Sequence, residues 1–399
     1  MILLISACWT KVSGEIPAIQ AQRWNERIVV ESSNHNTLQI DVRAGYAHDP
    51  IGKEGLAWWT AHSLFPSTLS KTISVHPEYV RFRFSVPEAQ QDEIIALISN
   101  SLQNPMWYPQ DISRIRAQLL SSSYTPNELN ELTTQGIFQQ WLYSGHPYGH
   151  SPLGNIGSAE TISEIDIQEF FEEYYTRSSF VFGWHGSPSK ISLLDTLQDG
   201  LLSRPIHIPR YKTPVSLPSR QKRQTLLFHI PEIETSKWAF GIVFPNATSK
   251  LRVTALALQE YLCPTSVDEF LTVYDPIISC VGTAENNDLL FAAIEKMLLR
   301  YEAFFSLELE EFQSYLLMGI NKQKEDPLSA SSLVRMSIVD TSVVPPIDDI
   351  VAARKEMRKH HPQIMVLSPN GPKIFSERED IFSTIVIRSQ YTPFFLAPK

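Results

Sequence analysis

Residues 55–65 read Gly-Leu-Ala-Trp-Trp-Thr-Ala-His-Ser-Leu-Phe, an apolar run that carries a single histidine. The segment before it, residues 38–44, alternates apolar and polar side chains at period two, which is the pattern of a strand with one buried face. Gly45 ends that strand, and the Asp-Pro pair a few residues later is typical of a turn. This part of the chain therefore predicts a strand, a loop and a helix, in that order.

A second stretch with a strong pattern lies at residues 143–154 and reads Tyr-Ser-Gly-His-Pro-Tyr-Gly-His-Ser-Pro-Leu-Gly. Its glycines and prolines are typical of a loop. The residues that follow, from 159 to 175, are Ala-Glu-Thr-Ile-Ser-Glu-Ile-Asp-Ile-Gln-Glu-Phe-Phe-Glu-Glu-Tyr-Tyr, and periodicity predicts a helix in their last part, at 165–175.

Together these two stretches resemble the pitrilysin/insulinase family, specifically its small members built like the subunits of mitochondrial processing peptidase. The resemblance rests on VRAGYAHDPIGKEGLA at 42–57, HSLF at 62–65, and the Gly-His-Pro-Tyr-Gly loop with the helix after it. It covers most of residues 23–190 at recognisable spacing and only faintly the rest. The resemblance implies an α+β fold of two homologous domains, each an antiparallel-rich sheet packed against helices.

The zinc helix of that family carries His-x-x-Glu-His, with two histidine ligands four residues apart and a glutamate that activates the metal-bound water. In this chain the same frame holds Trp58, Ala61 and His62. An indole nitrogen only donates a hydrogen bond and an alanine methyl cannot accept a proton, so one ligand and the general base are missing.

The family's third zinc ligand is a glutamate on a later helix. The segment in its place keeps the family's arginine as Arg116 and has Ser122 where the glutamate should be, and a neutral hydroxyl is a poor ligand beside a carboxylate. The resemblance therefore implies no catalytic residue, no metal site and no cofactor. Trp58, Ala61, His62 and Ser122 are vestigial positions of the zinc motif.

Other histidines leave room for a different interpretation. His146 and His150 are also four apart, but the proline and glycine between them favour a loop, so we interpret them as structural. A rebuilt zinc site would need ligands to join His62, because catalytic zinc takes three protein ligands. No spacing recommends the other candidates, which are His35, His48 and His76. His360 and His361 follow two basic residues and precede a proline, which predicts a basic helix end.

Length and composition agree with a two-domain globular protein. The chain has 399 residues, of which 43% are hydrophobic and 19% charged. We predict domains at 1–205 and 224–399, the second one shortened, joined by a proline-rich and basic linker at 206–223. A net charge of -9 argues against nucleic acid or an anionic membrane surface as a partner. No run of 18 apolar residues predicts a membrane-spanning helix.

The three cysteines, Cys8, Cys263 and Cys280, predict neither a disulfide framework nor a metal-spaced pair. The first of them ends Ile-Ser-Ala-Cys, which resembles a bacterial lipoprotein cleavage box, although the positive flank and the longer apolar stretch of a signal peptide are missing. Either these residues belong to a longer signal or they form a buried first strand. The first alternative predicts the cell envelope or periplasm, with a lipid anchor at Cys8, and the cytoplasm remains the alternative location.

Periodicity predicts a set of elements in each half. In the first half we expect strands at 37–44, 80–86 and 179–186, and helices at 54–64, 89–102, 109–123, 127–143 and 165–175. In the second half we expect strands at 225–230, 238–244 and 277–282, and helices at 253–262, 287–304 and 307–322. Residues 262–271 pass almost directly to a strand, without the glycine-rich and Arg-x-x-x-Gly-x-x-Tyr-like segments that help active relatives hold substrate.

Three functions remain open from the sequence. The first is a non-catalytic, peptidase-like subunit that binds a homologous peptidase or a larger assembly, and that offers edge strands and an acidic wall to extended, basic peptides. The second is an active zinc metallopeptidase with a rebuilt site around His62. The third is a structural scaffold of an envelope or respiratory complex.

Overall fold

The structure is a computed structural model, and the chain is described over most of its length. The described residues are 27–31, 36–121, 131–186, 192–206, 209, 217, 222–245, 247–263, 277–326, 328, 344–382 and 384–388. Over these residues the strands form two five-stranded sheets, one in each half of the chain. No helix in this described part is long and apolar enough to cross a membrane.

Ten strands build the two sheets. They are β1 (Arg27–Glu31), β2 (Thr37–Val42), β3 (Lys71–Val75), β4 (Val80–Ser85), β5 (Phe180–Gly186), β6 (Thr225–His229), β7 (Ser236–Val243), β8 (Ile277–Ala284), β9 (Gln363–Ser368) and β10 (Ile385–Arg388). The first sheet has the order β1-β5-β2-β4-β3 and the second has the order β10-β6-β9-β7-β8.

Helices cover the sheets. They are α1 (Leu56–Leu64), α2 (Gln91–Gln103), α3 (Pro109–Ser121), α4 (Glu131–Leu142), α5 (Ile156–Thr161), α6 (Glu164–Tyr174), α7 (Ser192–Gly200), α8 (Ser249–Leu262), α9 (Asn287–Phe304), α10 (Leu309–Lys324), α11 (Ile347–Met357) and α12 (Lys373–Ser376).

The two sheets repeat one arrangement. Within each, a parallel pair (β1 with β5, and β6 with β9) is followed by two antiparallel pairings, β5-β2-β4 in the first sheet and β9-β7-β8 in the second. The fifth strand differs, because β3 extends the first sheet beyond β4, whereas β10 extends the second beyond β6. The predicted α+β fold of two similar domains is therefore confirmed, although the two halves show no repeat in amino-acid sequence.

One face of the first sheet carries a ladder of polar side chains. Asp41 and Arg81 lie opposite each other on β2 and β4, and the guanidinium donates to both carboxylate oxygens at 2.9 and 3.0 Å. Gln39 donates to Asp41 at 3.0 Å and accepts from Arg83 at 2.8 Å. Because Asp41 and Arg81 are buried and each is paired, the ladder satisfies charges that would otherwise be costly to hide from water.

Each half of the chain packs one of its own elements against the other half. Helix α4 of the first half packs on β7 and β8 of the second, where Phe138 lies over Gly241. In return, Asp326 of the second half pairs with Arg83 at the end of the polar ladder, and Leu328 lies over Gly183 of β5. A Cβ at Gly241 would lie 2.6 Å from the Phe138 ring, so the missing side chain lets the helix approach the sheet.

Most of the predicted strands and helices are confirmed, with ends that move by a few residues. The predicted strand at 179–186 lies in the interior of its sheet, between β1 and β2. The elements that were not predicted from the sequence are β1, β3, β9, β10, α5, α7 and α12. Of α11 only the basic end was predicted, and the helix ends at Met357, directly before Arg358. The linker at 206–223 falls mostly outside the described residues, so the predicted domain boundaries stay a prediction.

The prediction about cysteines was wrong. Cys263, which follows α8, forms a disulfide with Cys280 in β8, and their Cα atoms are 5.6 Å apart. The sequence contained no regular cysteine spacing, and the pair meets only because α8 and β8 pack against each other. Cys8 lies outside the described residues.

Candidate functional site

Helix α1 is held at its N-terminus by a buried carboxylate. Asp49 accepts hydrogen bonds from the backbone N–H groups of Gly55 at 2.6 Å and Ala57 at 2.7 Å. These donors would otherwise be unsatisfied in the first turn of the helix. Burial of the Asp49 side chain raises the pKa of its carboxyl well above the ordinary value, against the opposing effect of those backbone donors. The Asp-Pro turn read in the sequence thus has a second role as a helix cap.

The start of α1 also contacts the end of the 143–154 stretch backbone to backbone. A Cβ at Gly55 would lie 2.6 Å from the carbonyl oxygen of Leu153, and one at Gly154 would collide with the carbonyl of Glu54. Ser158 donates to that same Glu54 carbonyl at 2.7 Å. The two stretches that carry the family resemblance are therefore one packed unit in the structure.

The three positions of the zinc frame on α1 have different environments. Ala61 is fully buried in the core, whereas Trp58 and His62 are partly exposed. The indole of Trp58 stacks on the imidazole of His62 with ring centroids 3.9 Å apart. The place of the first family ligand is therefore taken by an aromatic ring that covers the second.

The imidazole of His62 is oriented by the helix itself. Its Nδ1 lies 2.9 Å from the carbonyl oxygen of Trp58, and because a carbonyl only accepts, Nδ1 must carry the proton. Burial lowers the pKa of His62 to about 4, assisted by the positive charges of Lys71 and Arg114. At neutral pH the ring is uncharged and its Nε2 is an acceptor.

Arg116, the arginine that the family pattern shares, has a structural role here. It donates to the carbonyl oxygens of Ala159 at 3.0 Å and Ile162 at 2.7 Å, at the end of α5. Its guanidinium also lies 5.7 Å from the ring centre of Trp59. The arginine thus ties α3 to α5 and to α1. Ser122, the remaining vestigial position, lies outside the described residues.

The other candidate histidines are dispersed. His48 stacks on Tyr174 and His76 stacks on Tyr79, and burial lowers the pKa of each histidine to about 3. His35 lies outside the described residues. Over the described ranges, no group of three or more histidine, cysteine, aspartate or glutamate side chains could hold a metal ion.

The loop histidines are packed into the fold around the start of α1. His146 caps the short helical turn after it by accepting from the backbone N–H of Tyr148 at 3.1 Å. His150 packs edge-on against Tyr46 at 5.2 Å, with its Nε2 4.0 Å from an oxygen of Asp49. Their geometry agrees with the structural role predicted from the proline and glycine between them.

Two buried carboxylates, Asp49 and Glu78, lie beside these histidines and are not predicted as site residues by the sequence. The Asp-Pro pair predicts only a turn at Asp49, and no pattern marks Glu78. Glu78 is buried and accepts a hydrogen bond from the hydroxyl of Tyr148. Because an N-cap residue ordinarily stands directly before its helix, the position of Asp49 six residues before Gly55 gives no signal of a cap.

We expect the imidazole of His62 to titrate near pH 4 in the folded protein, because the stacked indole removes water from it. Since this pKa is below its ordinary value of 6.5, the stability that comes from the neutral ring is present above pH 6.5 and is lost as the pH falls toward 4. Trp58→Ala should raise the pKa toward the ordinary value, whereas Trp58→Phe should largely preserve it. NMR titration of the His62 Cε1–H signal measures both; an unchanged pKa in Trp58→Ala would contradict the role of the indole.

Comparisons with known proteins identify the fold. No protein-family model and no curated protein sequence matches the chain. Among solved structures, the peptidase M16 inactive domain from Pseudomonas fluorescens has a TM-score of 0.65 at 11% identity, over 86% of this chain and 95% of that one. A chain of Complex III2 from Candida albicans has a TM-score of 0.63 at 12% identity, over 86% and 93%.

The periplasmic protease PqqL from Escherichia coli has a TM-score of 0.62 at 10% identity, over 88% of this chain but only 47% of that one. This chain therefore spans about half the length of PqqL. Identities this low establish similarity of fold and nothing finer. The chain has the fold of the M16 peptidases, and its resemblance to the pitrilysin/insulinase family is confirmed at the level of that fold.

Proposed function

We propose that this chain is a non-catalytic, peptidase-like subunit that binds a homologous partner and extended, basic peptides. The observation that carries the proposal is the stacking of Trp58 on His62 at the position of the family's two histidine ligands. An indole offers no lone pair to a cation, and Ala61 leaves no general base beside it. The Asp49 cap and the close contact of Gly55 with Leu153 nevertheless hold this helix in its place.

A peptide-binding role is supported by the edge of the first sheet. Strand β3 pairs with β4 on one side only among the described strands, and α1 packs beside it. An extended peptide can add to such an edge through main-chain hydrogen bonds. Along β3, half-buried side chains alternate with exposed ones, so the strand is accessible from outside.

Acidic side chains on α6, the helix that packs against α1, favour the binding of basic peptides. Helix α6 packs against α1 and exposes Glu169, Glu172 and Glu173, while Asp166 at its start pairs with Lys53 at 2.9 Å. Exposed carboxylates of one sign attract cationic segments over a distance of about 10 Å at moderate salt. This arrangement agrees with the net charge of -9.

The solved structures that share this fold support a role as one subunit of an assembly of several chains. One is named an inactive domain, one belongs to a respiratory complex, and one is a protease of which this chain matches about half. A single homologous partner would make this chain one side of a two-part peptidase. A scaffold of a larger assembly is the second possibility, favoured by the complex III neighbour, and affinity purification separates the two by the number of proteins recovered.

The zinc content of the purified protein tests the proposal that the chain is non-catalytic. We expect purified protein to bind far less than one zinc per chain, and the His62→Ala variant to give the same value. Trp58→His combined with Ser122→Glu restores three ligand positions of the family frame and should gain zinc toward one equivalent, because three ligands suffice for a catalytic-type site. Trp58→Phe is the matched control. Stoichiometric zinc in the natural chain that disappears in His62→Ala would establish the rebuilt metallopeptidase instead.

Binding of basic peptides tests the other half. We expect a fluorescent extended peptide rich in lysine and arginine to bind, and the combined change Glu169→Gln, Glu172→Gln and Glu173→Gln to weaken it about tenfold and flatten its salt dependence. The matched control changes Glu310→Gln and Glu311→Gln, which are exposed on α10 of the other half. Equal losses in both variants would assign the attraction to overall charge, and no binding to the natural chain would remove the peptide from the proposal.

We place the protein outside the cytoplasm, in the cell envelope or periplasm. The Cys263–Cys280 disulfide supports this, because disulfides persist in oxidising compartments and are rare in the cytosol. The bond closes a loop between residues 17 apart in sequence, which by chain entropy stabilises the fold by about 3 kcal/mol.

Reductant should therefore lower the urea midpoint of the natural protein and leave a Cys263→Ala, Cys280→Ala variant unchanged. Thiol alkylation of protein taken directly from cells measures the compartment: blocked cysteines support the envelope, and reactive cysteines 263 and 280 would support the cytoplasm. The lipid anchor at Cys8 stays a prediction.

A further inference from the structure

A cavity of about 240 Å³ lies where the end of α4 meets the second sheet. It is far in sequence from the zinc frame and draws on both halves of the chain. Its lining residues are Leu142, Ser144, Leu217, Gln224, Val243, Pro245, His360, His361 and Gln363. The volume corresponds to roughly eight water molecules at their liquid density, enough for a small organic molecule.

One side of this cavity is apolar. Leu142 comes from α4, Val243 ends β7, and Pro245 follows it, with Leu217 from the segment between the halves. Such a wall cannot satisfy the hydrogen bonds of a cluster of waters, which favours the displacement of water by an apolar group.

The other side carries an imidazole whose nitrogens have no hydrogen-bond partner among the described residues. His360 is only 8% exposed, and its ring packs edge-on against Phe244 at 5.3 Å. Across the described ranges, the hydrogen bond of His360 is made by its backbone oxygen, which accepts from Tyr301, and not by its ring. Burial lowers the pKa of His360, so the ring is neutral and offers one N–H donor. A ligand in the cavity can accept a hydrogen bond from that donor.

The side chain of Gln363 lines the cavity together with this ring and is held in place by three hydrogen bonds. Its Nε2 donates to the carbonyl oxygens of Lys222 and His361 at 3.1 and 3.0 Å, and its Oε1 accepts from the backbone N–H of Gln224 at 3.2 Å. These bonds fix the positions of two other lining residues, Gln224 and His361. The polar side is therefore formed before any ligand arrives, which limits the entropy lost on binding.

Several basic residues lie next to the cavity in sequence, in contrast to the acidic chain. Among its described lining residues none is acidic. The adjacent positions in sequence are Lys222, Arg223, Arg358 and Lys359. Lys359 is paired with Glu356, and Arg223 faces Glu302 and Asp380, whereas Lys222 and Arg358 are exposed. A local positive field favours an anionic group over a neutral or cationic one.

We propose that this cavity is a binding site for a small carboxylate with an apolar body, whose anionic group receives a hydrogen bond from His360 and whose apolar part lies against Leu142, Val243 and Pro245. The same chemistry has two sources: a free organic acid, or the carboxyl-terminal residue of a peptide. Because both halves line the site, the ligand also bridges α4 and the second sheet.

The first experiment measures binding of 4-methylpentanoate and of its neutral amide by calorimetry or ligand-observed NMR. We expect the acid to bind at least about tenfold more tightly than the amide, since a charge-assisted hydrogen bond is lost in the amide. His360→Phe preserves a ring against Phe244 but removes the donor, so the acid should bind it only as weakly as the amide does. Equal binding of acid and amide by the natural protein would overturn the proposal, as would no binding of either.

Position is tested by a variant that fills the cavity. Ser144 is exposed at its edge, so Ser144→Trp can occupy the space without disturbing the core, and it should abolish binding of the acid. The matched control is Ser203→Trp, because Ser203 is equally exposed but does not line the cavity. Unchanged affinity in Ser144→Trp would place the acid elsewhere and overturn the site.

The source of the ligand is assigned by comparing a peptide that ends in a free leucine with the same peptide amidated. Tighter binding of the free peptide than of 4-methylpentanoate assigns the peptide, and the reverse order assigns the free acid.

Discussion

The fold of the first half depends on one close approach of two backbones, at Gly55 and Gly154. Neither position has room for a side chain, because the carbonyl groups of Leu153 and Glu54 lie where a Cβ would be. This contact, together with the cap from Asp49, fixes where α1 begins and how it is rotated against the sheet. None of these contacts involves the zinc positions. The contacts that place the helix are therefore independent of the side chains at positions 58, 61 and 62.

The core explains which replacements were compatible with this helix. Ala61 is buried, so a small apolar residue there packs without an unpaired charge. Trp58 is only partly buried, and its ring covers His62 while the indole N–H remains near the surface. This position holds a packed aromatic pair in which the imidazole is neutral and its Nε2 is an acceptor.

The elements predicted from the sequence are those with a clear local pattern. Strand β2 alternates apolar and polar residues and is soon followed by Gly45, and helix α1 is an apolar run that begins after Gly55. Strand β9 is a short continuous apolar run, Gln-Ile-Met-Val-Leu-Ser, which periodicity alone cannot assign to a strand or a helix. The stack of Trp58 on His62 follows from their spacing of four on a helix, but the cavity at His360 could not be predicted. Its walls come from segments far apart in sequence that only the fold brings together.

The exchange of packing between the halves has a consequence for how the chain acquires its structure. The apolar face of α4, with Ile137 and Phe138, shares a core with Ala239 and Met365, which are synthesised much later. Contacts between residues so distant in sequence slow folding, because the entropy of closing a long loop is lost before the contact forms. During synthesis the apolar face of α4 is not covered by the second sheet until β7 and β8 have emerged. The first half alone would expose that apolar helix face, and transiently exposed apolar surface of this kind favours aggregation.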